Sequence, residues 1–147
     1  MRLVFMGTPA IVIPVLEALA KLEDCQVVGV YTSPDRPRGR GRAQEMTPVK
    51  SYAADLGLSV YQPSTLRSSQ AQEQLAALKP EVVVVAAYGR LLPPPVLEMP
   101  SHGCLNLHPS LLPKYRGPSP VVTAIKDGED VTGVSLMLLD DGMDTGP

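Results

Sequence analysis

Asn106 and His108 stand two residues apart at the end of an apolar run, directly before Pro109-Ser110-Leu111-Leu112-Pro113. Side chains alternate along a strand, so on an extended segment this amide and this imidazole point to one face. Aimed at one spot, they can hold a carbonyl and stabilise the oxyanion that forms when it is attacked. That is equipment for acyl transfer. His102 has no such company and reads as a solvated loop residue. Farther along, Asp140-Asp141-Gly142-Met143-Asp144-Thr145-Gly146 carries three carboxylates and two glycines. Its spacing does not supply the alternating oxygen ligands of a calcium loop. A carboxylate brought to His108 would instead orient the ring and relay a proton from an attacking amine, directly or through water.

A second chemical feature is basic. Arg36, Arg38, Arg40 and Arg42 alternate with Pro37, Gly39, Gly41 and Ala43 in the connection between a strand and a helix. A guanidinium at every second position of a flexible loop suits a phosphate clamp. Gly7-Thr8-Pro9 follows the first strand, but no further glycines complete the dinucleotide fingerprint, which argues against a dehydrogenase.

The elements that must position these residues alternate. Strands are expected at Arg2–Met6, Gln26–Thr32, Leu58–Tyr61, Glu81–Ala87, Gly103–Leu107 and Thr132–Leu139. Val82 to Val85 form the continuous β-branched run of a strand covered on both faces. Helices are expected at Ala10–Lys21, Thr47–Asp55, Ser68–Leu78 and Pro120–Asp127, with about one turn at Pro94–Glu98. Thr47 and Ser68/Ser69 supply capping signals, and Pro48 suits a first helical turn. Pro14 falls inside the first helix, which should start late or bend there. This order predicts an α/β, Rossmann-like domain: a mainly parallel sheet with helices on both faces. In open sheets of this kind ligands sit beyond the carboxyl ends of the strands. The segments Tyr88-Gly89-Arg90, Asn106–Pro113 and Asp140–Asp144 each follow a strand and are expected to meet at one rim.

Composition narrows the function classes. The 147 residues are 44% hydrophobic and 19% charged, with a formal net charge of −2, so one globular domain is expected. Aromatics are 4% with no Trp, which argues against nucleic-acid binding by base stacking. Cys25 and Cys104 read as buried free thiols, with no disulfide framework and no metal site. No apolar run is long enough for a membrane span, and a cytoplasmic protein is expected.

The pattern resembles a known family. The chain is similar to the N-terminal catalytic domain of the folate-dependent formyltransferases, and within them to the enzymes that formylate methionyl-tRNA. The likeness runs through Met1–Pro9, the segment 33–41, the segment 87–93, Asn106–Pro113, Lys114-Tyr115-Arg116-Gly117 and Gly142-Met143-Asp144-Thr145-Gly146. It implies 10-formyltetrahydrofolate as formyl donor, no metal, and Asn106, His108 and Asp144 as catalytic residues. It also implies a folate site at Tyr88, Gly89, Arg90, Leu91, Leu92, Pro93, Asp140 and Asp141, and a folate signature at Ser110, Leu111, Leu112 and Pro113. Arg36, Arg38, Arg40 and Arg42 match a segment that contacts tRNA, so the acceptor implied is initiator methionyl-tRNA. Glycinamide ribonucleotide and amino sugars are the alternative acceptors; His-Pro-Ser-Leu-Leu-Pro also occurs in relatives acting on the former. A non-catalytic folate- or RNA-binding fragment is a further alternative. The resemblance further implies that residues 1–147 are an incomplete catalytic domain without the family's barrel-like C-terminal domain. Weak or no activity, a frayed Asp144 and self-association through exposed apolar surface are expected from that.

Overall fold

The computed structural model describes residues 1–38 and 43–147. Among these, the strands of the main sheet are β1 (Arg2–Gly7), β2 (Gln26–Tyr31), β5 (Val60–Tyr61), β6 (Val82–Ala86), β7 (Cys104–His108) and β8 (Ser135–Leu138). Their order is β5-β2-β1-β6-β7-β8. The chain winds outward from β1 through β2 to β5, then restarts on the other side of β1 with β6. The helices are α1 (Ile13–Ala20), α2 (Pro48–Asp55), α3 (Ser69–Ala77), α4 (Pro94–Leu97) and α5 (Pro120–Lys126).

Alternation along the central strands builds two cores. Leu3 and Phe5 of β1, with Val82 and Val84 of β6, pack on one face against Leu16 of α1 and Val49 and Ala53 of α2. Val4, Met6, Val83 and Val85 face the other way, toward Leu75 of α3 and Val96 of α4. Every residue of β6 is buried, as a strand covered on both faces requires. The parallel pairs β1–β2, β1–β6, β2–β5 and β6–β7 give the mainly parallel sheet expected from the element order.

Local chemistry sets the helix ends. Thr47 caps α2 by accepting from the Lys50 N–H at 3.1 Å, and Ser68 caps α3 by accepting from Ala71 at 3.3 Å. The expected single helix over Ala10–Lys21 is divided: Ala10–Val12 forms a 3-10 turn and α1 begins at Ile13. Pro14 then lies in the first turn of α1, where its missing N–H leaves no intrahelical bond unmade.

Two departures bear on the site. The arginine segment was expected as a flexible loop. Its described parts are instead strands, β3 (Arg36–Arg38) and β4 (Ala43–Glu45), paired antiparallel from Arg36↔Glu45 to Arg38↔Ala43. Arg36 is exposed on this ribbon, while Arg40 and Arg42 lie outside the described residues. The second departure is β8, which runs antiparallel to β7 with Ser135 opposite His108 and Leu138 opposite Leu105. Its carboxyl end therefore reaches the amino end of β7, not the shared rim.

Candidate active site

Asn106 and His108 sit on the last turn of pleat of β7, on the same face, as their spacing requires. His108 is only 4% exposed. Its Nε2 lies 2.8 Å from the carbonyl oxygen of Tyr115. A carbonyl only accepts, so Nε2 carries the proton and donates. The other nitrogen, Nδ1, faces the Asp144 carboxylate, with Oδ2 at 3.6 Å. That is longer than a hydrogen bond but close enough for direct Coulomb attraction once the ring is charged.

Asp144 reaches this place by a reversal of the chain. Beyond β8, Leu139 N–H donates to the Cys104 carbonyl at 2.7 Å, at the far end of β7. The next residues run back along the sheet face toward His108. β7 spans roughly 13 Å between Cys104 and His108, and the four residue steps from Asp140 to Asp144 can cover about that length. The return is pinned. Asp140 Oδ1 accepts from the Gly142 N–H at 3.0 Å and the Thr145 hydroxyl at 2.7 Å. Asp144 Oδ2 accepts from the Gly117 N–H at 2.7 Å. Leu138 N–H donates to the Pro147 carbonyl at 2.8 Å. Asp144 is thus tied at its side chain and on both flanks.

These residues wall a cavity of about 740 Å³. All of Tyr88, Gly89, Arg90, Leu91, Leu92 and Pro93 line it, as do Asn106, His108, Asp140, Asp141 and Asp144. The wall is largely apolar, from Val85, Leu92, Leu97, Leu139 and Met143, with the amide, imidazole and carboxylates gathered along it. Ala87 and Gly89 have positive φ (46° and 77°), which turns backbone polar groups of this loop out of the strand direction. Such a surface suits a flat, partly polar ring system held by backbone groups, with a reactive group near Asn106 and His108.

Ser110, Leu111, Leu112 and Pro113 stand outside the cavity lining. Ser110 is fully buried, and its hydroxyl donates to the Lys114 carbonyl at 2.7 Å. Leu111 is exposed, and its side chain lies over Gly133. The signature is a folded loop beside the cavity rather than part of its wall.

Several participants carry no signal in their residue type. Tyr115 contributes a carbonyl and Gly117 an N–H, both from the backbone. Thr8 joins the ends of three strands: its Oγ1 lies 3.2 Å from both Ser33 Oγ and the Tyr88 carbonyl. Arg67, in the connection before α3, also lines the cavity. Tyr31 and Tyr88 bury their hydroxyls without a hydrogen-bond partner, and burial pushes both phenols up from their ordinary range. Among the described residues no group of three or more His, Cys, Asp or Glu is placed to hold a metal ion.

The sequence pattern of the formyl transferase family matches residues 1–147, the whole chain. This chain belongs to the formyl transferase family. Its curated relatives include the methionyl-tRNA formyltransferase of Marinobacter nauticus, 51% identical over 146 residues, covering 99% of this chain and 47% of that protein. The methionyl-tRNA formyltransferase of a Roseiflexus species is 55% identical over 147 residues, 100% of this chain and 45% of that protein. The chain spans about half the length of the curated relatives it matches. Among solved structures, glycinamide ribonucleotide transformylase 1 from Geobacillus kaustophilus superposes with a TM-score of 0.76 at 27% identity, covering 99% of this chain and 78% of that one. Phosphoribosylglycinamide formyltransferase from Bacillus halodurans gives 0.74 at 26% identity, covering 100% of this chain and 76% of that one. The doubly wound sheet is therefore the formyl transferase fold, and the cavity at β6 and β7 is its candidate active site.

Proposed function

We propose that this chain carries the formyl-transfer site of a methionyl-tRNA formyltransferase, which moves the formyl group of 10-formyltetrahydrofolate to the α-amine of methionyl initiator tRNA in the cytoplasm. The observation that carries this reading is the meeting of Asn106, His108 and Asp144 on one wall of the cavity. The high identity to methionyl-tRNA formyltransferases along the whole chain supports the choice of acceptor.

The folate supplies the formyl carbon and departs as tetrahydrofolate when its N10–carbon bond breaks and N10 takes up the proton that the amine gives up, passed on from Asp144 directly or through water. The chain's own residues hold and move charge around that exchange. The Asn106 amide donates to the formyl oxygen and gains strength as negative charge builds on it. His108, when its Nδ1 is protonated, adds a second donor on the same side. Asp144 takes a proton from the attacking amine, directly or through water, as the new N–C bond forms. The residues 88–93 and Asp140 and Asp141 hold the ring system by apolar contact and backbone groups. Arg36, Arg38, Arg40 and Arg42 form a basic arm for acceptor phosphates. The reading does not include a metal.

The test is a formyl-transfer assay on the 147-residue chain and on a version extended through the second half of a relative, each with 10-formyltetrahydrofolate and methionyl-tRNA. The extended protein is expected to transfer and the short one to be weak or inactive. No transfer by the extended protein would overturn the reading. A second acceptor class is favoured by the fold likeness to glycinamide ribonucleotide transformylase 1 from Geobacillus kaustophilus. Transfer to that nucleotide in place of methionyl-tRNA would choose it.

A further inference from the structure

Ser110 lies outside the cavity wall and yet is fully buried directly after the strand that carries His108. Its bonds run to the active-site loop. Its hydroxyl donates to the Lys114 carbonyl at 2.7 Å and lies 3.4 Å from the Tyr115 carbonyl. Its own N–H donates to the His108 carbonyl at 2.8 Å. Its carbonyl accepts from the Ser135 hydroxyl at 2.8 Å, and Ser135 Oγ in turn accepts from the Leu112 N–H at 3.0 Å. Ser135 is the residue paired with His108 across the β7–β8 ladder. Residues 110–115 are therefore closed on themselves and anchored to the sheet at the level of the imidazole.

What this loop presents to the site is backbone. Tyr115 has φ of 61°, a left-handed conformation that a non-glycine residue holds only against a steric cost. In it, the Tyr115 carbonyl meets His108 Nε2 at 2.8 Å. Two residues on, Gly117 (φ 95°) gives its N–H to Asp144. One loop thus holds both the imidazole and the carboxylate. On the outside it is held by Glu129, which takes the Tyr115 hydroxyl at 2.8 Å and the Lys114 ammonium.

We infer that Ser110 is a positioning residue that sets the tautomer of His108. By fixing the Lys114–Tyr115 peptide it keeps a carbonyl on Nε2, so Nε2 retains its proton. Nδ1 is then the nitrogen presented to Asp144 and the cavity. The catalytic consequence rests on the formyl-transfer reading; the tautomer does not.

The chain has two histidines, so two-bond proton–nitrogen correlation spectra of labelled protein resolve each ring. Above the titration range His108 is expected as the single Nε2–H tautomer. Exposed His102 serves as the averaging reference. Ser110→Ala is expected to give His108 a mixed tautomer pattern while circular dichroism stays native. Tyr115→Phe keeps the carbonyl and should keep the locked pattern. A folded Ser110→Ala protein with His108 still locked on Nε2 overturns the inference. If Ser110→Ala does not fold, Ser110→Cys, which keeps the side-chain shape but offers only a weak donor, is read by the same spectrum, and an unchanged pattern there overturns it too. In the extended, active protein Ser110→Ala should lower kcat roughly 10- to 100-fold with little change in KM for the folate. A released tautomer without transfer in any version would sink the formyl-transfer reading alone; transfer with an unaffected tautomer would sink the positioning role alone.

Discussion

At the scale of single residues, the site depends on what each side chain can donate. Asn106→Ala removes the amide that holds the formyl oxygen. Loss of one such donor costs roughly 100- to 1,000-fold in kcat. His108→Ala should cost at least as much, because the ring stands between the Tyr115 carbonyl and the Asp144 carboxylate and lines the same cavity as Asn106. Both losses are to be measured as initial formyl-transfer rates in the extended protein, with thermal melts confirming the fold. Activity retained by both variants would remove the oxyanion role. The cysteines give a separate check on burial. Cys104 is buried, and burial alone pushes its thiol up to about 12. The thiolate is the reactive form, so Cys104 should resist alkylation at neutral pH until the chain unfolds. Cys25 is half-buried and should be modified first, which mass spectrometry of the labelled protein would show. The Asn-x-His spacing was legible because strand alternation is a local rule. The roles of Tyr115 and Gly117 were not, since they act through backbone atoms that every residue possesses.

At the scale of elements, side-chain bonds at Thr47 and Asp35 tie the start of the arginine ribbon to α2 and the sheet. Thr47 caps α2 and also shares a 2.8 Å hydrogen bond with the buried Thr32 at the end of β2. Thr47→Ala should destabilise the fold by about 1 kcal/mol, read from urea unfolding at constant slope. Asp35, just before β3, accepts from Lys50 of α2 and from Gln62 at 2.7 Å. Those bonds, Lys50 first and Gln62 second, hold its carboxyl below the usual range. A folded-state value below the unfolded one means that the stabilisation is present above the unfolded value and is lost as pH falls through the folded one. The stability difference between the wild type and Asp35→Asn should therefore shrink as pH drops below the ordinary carboxylate range. A difference that stays constant down to strongly acid pH would show that the ion pair contributes nothing. The helix caps and the buried valine strand could be read from the sequence, because each is set within a few residues. The β3–β4 pairing could not: a Pro/Gly/Arg alternation has no apolar face to announce a strand.

At the scale of the whole molecule, the two cores hold the sheet that carries the site. Leu16 is completely buried between α1 and the sheet, and Leu16→Ala should cost about 2–5 kcal/mol in urea unfolding. Two outer elements keep apolar side chains in solvent. Val121, Val122 and Ile125 of α5 are exposed, as are Val131, Val134 and Leu136 at and before β8. The acceptor reading makes its own prediction at this scale. Neutralising Arg36 and Arg38 together should flatten the salt dependence of methionyl-tRNA binding by roughly one unit of log–log slope per lost phosphate contact. An unchanged slope would detach the ribbon from the acceptor. From the residues alone came the α/β class, the strand and helix order, and the Asn106–His108 pair, because hydrophobic period and capping are local and periodic. The tertiary structure decided that β8 is antiparallel, that the Asp140–Asp144 segment turns back along the sheet to His108, and that the Ser110 loop braces the imidazole from outside the cavity. These are long-range closures, chosen by which backbone groups find partners across the fold, and no short stretch of sequence contains both partners.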